Sequence, residues 1–367
     1  QACCPRPFDE LCAWFYNEGG GLVASGGVVT SRPDAGEWGR RGGAAGPDSM
    51  VVLWSAVSVG NSAEELVMRQ FGSDGSPIGE QVKVEVGGAD RSATGVAALK
   101  NGRLLLAWGE LSEPPRPREE ERSEGNELSN VFAQPYSASG EPSAEPAKLN
   151  SASSLMYGSW PPALDGLEGG EAIVAWRSSE GGSSGDAQTA VSAVLVDKDG
   201  GLVSEEFTVS ELAEISGGPV VVSDAHGGFV VIWQQLSASE QTPQLMGRTY
   251  HADGTAMSTA VSIMSLSDDQ VSLPAVATAP SGDTLLVWDE GLESPDNSDI
   301  WLTKLDSDLL PQSAPTRVNS WRHDRQSAPL VSPLADGEFV VVWEGNVPGS
   351  NSYGILAQRF DEKGNKL

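Results

Sequence analysis

One short apolar phrase returns six times along the chain, each time closing on tryptophan. It reads Met50-Val-Val-Leu-Trp54, Leu104-Leu-Leu-Ala-Trp108, Ala172-Ile-Val-Ala-Trp176, Phe229-Val-Val-Ile-Trp233, Thr284-Leu-Leu-Val-Trp288 and Phe339-Val-Val-Val-Trp343. The tryptophans follow one another at intervals of 54, 68, 57, 55 and 55 residues, which marks a repeat architecture. A short continuous apolar run, rich in valine and bounded by turn residues, predicts a strand buried on both faces.

Each phrase sits inside a longer unit. An apolar stretch ending in a turn precedes it, as in Pro274-Ala-Val-Ala-Thr-Ala-Pro-Ser-Gly282, and a polar loop follows. A second strand such as Ile355-Leu-Ala-Gln-Arg-Phe360 then runs into a tight turn ending in glycine. Those turns are Gly72-Ser-Asp-Gly75, Ser137-Ala-Ser-Gly140, Asp197-Lys-Asp-Gly200, His251-Ala-Asp-Gly254 and Asp361-Glu-Lys-Gly364, with glycine where positive φ is needed. A last strand closes the unit: Val82-Lys-Val-Glu-Val86, Ala147-Lys-Leu-Asn150, Phe207-Thr-Val-Ser210 or Thr316-Arg-Val-Asn319.

Four antiparallel strands in about 55 residues describe a propeller blade, so the expected fold is an all-β, six-bladed β-propeller. A sandwich array competes, but sandwich domains need about 100 residues each. The sixth unit reaches Leu367 just after its hairpin turn and lacks an outermost strand. Gly27-Val-Val-Thr-Ser31 reads as that strand, so the ring is expected to close through it. The expected division is a cysteine-containing segment over 1–26 and the propeller over 27–367. Ala13-Trp-Phe-Tyr16, followed by Gly19-Gly20, also reads as a strand and turn, and has no place in that ring.

Asp336-Gly-Glu-Phe-Val-Val-Val-Trp343 followed by Ile355-Leu-Ala-Gln-Arg-Phe-Asp-Glu-Lys-Gly364 resembles repeats common in large secreted and surface-attached bacterial proteins. The resemblance covers roughly residues 27–367. It implies an extracellular propeller and carries no catalytic residues with it. Only the sixth unit keeps the whole Ala-Gln-Arg-Phe-Asp phrase, while Arg69 and Arg248 keep the arginine alone.

Charge narrows the partners. With 23 Lys plus Arg against 51 Asp plus Glu, the net charge of -28 repels nucleic acid and anionic membrane over most of the surface. No apolar run approaches the roughly 18 residues of a membrane span. The three cysteines, Cys3, Cys4 and Cys12, all lie in the first dozen residues. Gln1-Ala2-Cys3 resembles the end of a lipoprotein signal. Lipid on Cys3 would leave Cys4 and Cys12 to pair; signal cleavage before Gln1 leaves a Cys3–Cys12 or Cys4–Cys12 bridge open instead. The expected location is extracellular or cell-surface, with membrane contact only through that anchor.

Candidate chemistry lies in the residues that do not repeat. Loops joining successive blades contain Glu37-Trp-Gly-Arg-Arg41, Asp90-Arg91, Met156-Tyr-Gly-Ser-Trp160 and Trp321-Arg-His-Asp-Arg325. Closing the ring would set Arg40, Arg41, Arg91, Arg322 and Arg325 on one arc beside Trp38 and Trp321, with Trp160 and His323 in the same class of loop. Arginine clusters grip carboxylate, sulfate or phosphate in bidentate fashion, and tryptophan faces stack on sugar rings. The arc is therefore expected to bind an anionic saccharide or acidic ligand; in so acidic a chain, simple pairing of each arginine with a nearby carboxylate competes.

Three further expectations follow. As an enzyme, a glycosidase or lyase, the protein would draw on Glu110, Asp289, Glu290 and Glu344, with His323 as proton shuttle. As an assembly subunit it would pair its edges with copies of itself. Asp268-Asp269, Asp296-Asn-Ser-Asp299 and Asp306-Ser-Asp308 offer hard oxygen ligands to a structural calcium ion, and no other cofactor is expected. His226 and His251 fall in turns. The Pro-rich, mixed-charge insert Glu113–Leu128 reads as a surface insertion or a partner-binding arm.

Overall fold

A computed structural model describes residues 12–16, 22–28, 35–45, 49–58, 64–72, 76–84, 94–99, 102–111, 128–137, 139–151, 155–157, 160–180, 188–213, 215, 217–237, 242–266, 274–279, 281–294, 297–322, 325–334, 337–346 and 353–367. These residues are all-β with no helix, and none of their sheets closes on itself. The chain divides into two compact units, Gln1–Val174 with Leu195–Glu205, and Ala175–Val194 with Glu206–Leu367.

In the first unit, β1 (Cys12–Tyr16) pairs antiparallel with β2 (Leu22–Val28). This accounts for the strand-like residues 13–16. Gly27 and Val28 are opposite Ala13 and Cys12, and residues 29–31 of the expected closing strand lie outside the described residues. An antiparallel four-stranded sheet follows: β3 (Ala35–Ala45), β4 (Ser49–Ser58), β5 (Glu64–Gly72) and β6 (Pro77–Val84). Next, β7 (Thr94–Ala98), β8 (Leu104–Leu111) and β9 (Leu128–Tyr136) form a meander. Both β10 (Ala147–Lys148) and β11 (Leu155–Tyr157) pair with β9. The strand β12 (Ala163–Gly166) precedes β13 (Ala172–Glu180) and β14 (Gln188–Val196), and the unit boundary runs through the last two.

The second unit takes in most of β14, which pairs with β15 (Phe207–Thr208). Two four-stranded antiparallel sheets follow. One is β16 (Val220–Ser223), β17 (Phe229–Leu236), β18 (Pro243–Tyr250) and β19 (Val261–Ser265). The other is β20 (Ala275–Thr278), β21 (Thr284–Ser294), β22 (Asn297–Leu305) and β23 (Thr316–Arg317). The last sheet has three strands, β24 (Gln326–Pro333), β25 (Phe339–Asn346) and β26 (Tyr353–Phe360).

Side chains alternate across each central strand, and both faces are packed. Leu286 and Trp288 of β21 meet Val230 and Ile232 of β17, whereas Leu285 and Val287 meet Phe339, Val341 and Trp343 of β25. The first unit repeats the arrangement, with Leu104, Leu106 and Trp108 of β8 against Val51 of β4. Tryptophan and the residues two and four before it thus face the preceding sheet, and the two between face the following one. Trp108, Trp176, Trp233 and Trp288 are at most 2% exposed and Trp343 is 5% exposed, as packing residues should be.

Four of the described hairpin turns close in a common way. Asp197, Asp224, Asp306 and Asp361 each accept, on Oδ1, the N–H groups of the residues two and four ahead. The fourth turn residue is left-handed, with φ of 89° at Gly200 and 80° at Gly364. Leu309 adopts the same conformation, φ 61°, without glycine's freedom. Its side chain is 2% exposed within the core that holds Trp288 and Ile263, and a Cβ on Gly247 would lie 2.7 Å from its Cδ1. Burial offsets a backbone strain of roughly 1–2 kcal/mol.

Leu309→Gly should relieve that strain yet lose a buried leucine worth about 2–5 kcal/mol, so it should lower stability by about 1–3 kcal/mol in urea unfolding. Increased stability would show the side chain contributes little. The turns also predict a pH response. Asn365's side-chain amide, then the N–H groups of Asn365 and Lys363, hold the Asp361 carboxyl below its ordinary range. Thr255's hydroxyl and N–H do the same for Asp253. A carboxyl depressed on folding stabilises fully above its unfolded value of about 3.9, and that gain fades as pH falls through the folded value. Denaturant midpoints should therefore drop between about pH 5 and pH 2.5, and Asp361→Asn should drop less.

Candidate functional site

The last strand of a repeat ends on a buried polar residue that caps the strand beside it. Asn150 Oδ1 accepts the Val131 N–H at 2.8 Å, Ser210 Oγ the Val191 N–H at 2.9 Å, and Asn319 Oδ1 the Ile300 N–H at 2.8 Å. All three are buried, since each N–H would otherwise be left without a partner away from water. Asn319 also uses its amide donor. Its Nδ2 donates to Asp299 Oδ1 at 2.5 Å and to the Trp321 carbonyl at 2.6 Å. Arg317 adds Nη1, 3.6 Å from Asp299 Oδ2, and donates Nε to the Asn319 carbonyl at 3.2 Å.

The far end of the same connection is also tied down. Ser298 Oγ donates to the Gln326 carbonyl at 2.6 Å. Asn319 and Gln326 are therefore tied to three consecutive residues of β22, Ser298, Asp299 and Ile300. Just beyond, β24 shifts register between Ser327 and Leu330, with Ala328 at φ 53°. Trp321 on this connection is 38% exposed, the one aromatic among the exposed large apolar side chains of the described residues. Arg322 and Arg325 are exposed beside it, and among the described residues neither guanidinium forms an ion pair.

The other expected site residues are placed as follows. Trp38, Arg40 and Arg41 lie in the first unit, within β3 rather than in a loop. The β3–β4 register slips between Glu37 and Arg40 and again between Arg40 and Gly42, so this strand is bulged through the motif. Bulges let a sequence rich in glycine and charge remain in a strand, which periodicity alone reads as a loop. Trp160 is half-buried, also in the first unit. Arg91, His323, Cys3, Cys4 and most of the 113–128 insert lie outside the described residues, and Cys12 is in β1.

Of the carboxylates after the tryptophans, Glu290 has a packing role. Glu290 Oε2 accepts the Trp288 indole N–H at 3.2 Å, as Gln235 Oε1 does from Trp233 at 2.8 Å. Asp289 is 4% exposed, buried rather than a solvated strand end. In the last sheet the position two after tryptophan is Gly345, and Gln326, opposite it in β24, supplies Oε1 to Trp343 Nε1 at 2.8 Å. A Cβ on Gly345 would sit 2.1 Å from that oxygen. Among the described residues no group of three or more His, Cys, Asp or Glu side chains could hold a metal ion. Asp306 spends Oδ1 on its turn, and His226 and His251 are exposed turn residues.

No protein-family model matches the chain. No curated protein matches it in sequence. Solved structures do match in fold. A protein of unknown function from Dyadobacter fermentans aligns with a TM-score of 0.57 at 12% identity, over 96% of this chain and 98% of that one. An ulvan lyase, a polysaccharide lyase, aligns at 0.55 and 8% identity, over 91% and 84%. An α-L-arabinofuranosidase from Fusarium graminearum aligns at 0.52 and 10% identity, over 97% and 98%. The chain is thus all-β with β-propeller-like neighbours.

The Gln326–Gly345 pair is testable. Gln326→Ala should strand the buried Trp343 N–H and cost about 1–3 kcal/mol, and Gly345→Ala should destabilise by steric conflict. Gly345→Gln combined with Gln326→Ala moves the acceptor to the position that serves Trp233. That double variant should be more stable than Gln326→Ala in thermal unfolding; strictly additive losses would refute the coupling.

Proposed function

We propose that this protein is a saccharide-binding β-propeller, a binding or scaffold module outside the cell whose ligand is an anionic glycan. In this reading the fold has six blades of four antiparallel strands. Although β7 through β15 join in one nine-stranded sheet, three four-stranded sheets and a three-stranded final sheet support it. So does the end of the chain, where Leu367 N–H bonds the Arg359 carbonyl at 3.0 Å. Met257 with Thr249 and Gln312 with Lys304 make the same bond just ahead of their outermost strands.

The observation that carries the ligand class is the exposed Trp321, followed at once by the exposed Arg322 and three residues later by the exposed Arg325, with the Trp321 and Gln326 carbonyls both held by hydrogen bonds. An indole face offers apolar area at little entropic cost, suited to a sugar's C–H face. Arg322 and Arg325 offer paired donors to carboxylate or sulfate. The long-range field of a -28 chain disfavours such a ligand, so its recognition must be short-range. A polysaccharide lyase and an arabinofuranosidase among the fold neighbours add support for a saccharide. An enzymatic reading has less behind it, since Glu290 is bound to the Trp288 indole and Asp289 is buried.

The test is calorimetric titration with a uronate oligosaccharide, a sulfated one and a neutral one of equal length, with and without calcium. Acidic sugars should bind and the neutral one should not. Trp321→Ala and Arg322→Ala should each weaken binding about tenfold or more, equivalent to roughly 1.4 kcal/mol or above, while melting temperature changes little. Equal binding by both variants and the parent protein would overturn the assignment.

A further inference from the structure

We propose that Asn319 is a positioning residue, which sets the aim of Trp321 and Arg322 for the ligand; this rests on the saccharide-binding reading. Two functions meet in one amide. Asn319 Oδ1 performs the capping duty of its repeat position, on the Ile300 N–H. The donor side reaches the exposed tryptophan. Nδ2 of Asn319 clamps the Trp321 carbonyl at 2.6 Å, whereas Nδ2 of Asn150 donates to the adjacent Ser151 carbonyl at 3.2 Å. Holding that carbonyl fixes the peptide plane between Trp321 and Arg322, and with it the directions in which both side chains depart.

The clamp is itself braced. Asp299, 9% exposed, accepts the same Nδ2 and is approached by Arg317, which also donates to the Asn319 carbonyl. Asn319 is 1% exposed, so its amide cannot exchange these partners for water without the strand end opening. A platform held before the ligand arrives spares the ordering cost of binding. An unheld Trp321 would meet that cost on every encounter.

The separation of duties supplies the experiment. At the equivalent position Ser210 caps Val191 with a hydroxyl alone. Asn319→Ser should therefore keep the cap and lose the clamp, together with the bond to Asp299 that braces it. Asn150→Ser serves as control, because it removes the cap amide at the equivalent position of a segment with alanine, not tryptophan, two residues on. Three quantities are measured on the full chain: melting temperature, acrylamide quenching of Trp321 (isolated by difference from Trp321→Phe), and affinity for the uronate oligosaccharide. Asn319→Ser should melt within the range set by Asn150→Ser. Its Trp321 quenching should rise, and its affinity should fall about five- to tenfold. Unchanged quenching would overturn the proposal, and so would unchanged affinity in Asn319→Ser where Trp321→Ala loses binding. Should Trp321→Ala bind as tightly as the parent, the saccharide reading fails, and the quenching comparison still decides whether Asn319 holds Trp321.

Discussion

The sheet β20–β23 is packed on both faces, and the rest of the second unit is arranged around that demand. A strand buried on two sides can carry no polar residue on either, so β21 is apolar from Leu285 through Trp288 and changes character only at Asp289. Tryptophan ends the run because its ring covers the last stretch of the preceding sheet while its N–H sits near the strand end. There it needs an acceptor. Gln235 and Glu290 supply one from two residues ahead, and Gln326 supplies one from the neighbouring strand where Gly345 cannot. What looked like candidate catalytic carboxylates are partly the satisfied ends of buried indoles.

Double-faced burial pushes polarity to the two ends of every strand, and each end handles it in its own way. At the hairpin turns an aspartate oxygen gathers two backbone N–H groups, and a left-handed residue closes the reversal. At the opposite end an asparagine or serine caps a neighbouring strand. Four turns keep that aspartate, one of them where Leu309 takes glycine's place and reaches into the core, while in another the Ser137 hydroxyl accepts instead. The cap end varies. Asn319 reaches on to Trp321, and the segment that follows carries the exposed tryptophan and arginines. Variation layered on a constant frame is the usual place for recognition in repeat proteins.

The acidic surface and the arginine-bearing connection serve different ranges. Screening reduces the field of distant carboxylates within about 8–10 Å at ordinary ionic strength. In the proposed reading, bidentate contacts from Arg322 and Arg325 would act at hydrogen-bond distance, where geometry outweighs net charge. Such an arrangement favours a ligand whose anionic groups are regularly placed along a neutral, stackable frame, as in an acidic glycan, over a uniformly charged polymer.

The sequence by itself pointed to an all-β chain and to the burial of five tryptophans, because a short valine-rich apolar run bounded by turn residues favours a strand covered on both sides. It also determined the glycine turns, since the left-handed conformation leaves few residues to choose from. It did not reveal that Asn150, Ser210 and Asn319 are one capping position, because a polar residue at a strand end reads equally well as loop. Nor could it show Gln326 serving Trp343 across a register, Leu309 accepting a strained backbone in exchange for core contacts, or bulges keeping Trp38 through Arg41 in a strand. Each of these depends on atoms distant in sequence brought within a few ångströms, and only the tertiary structure decides which side chains meet there.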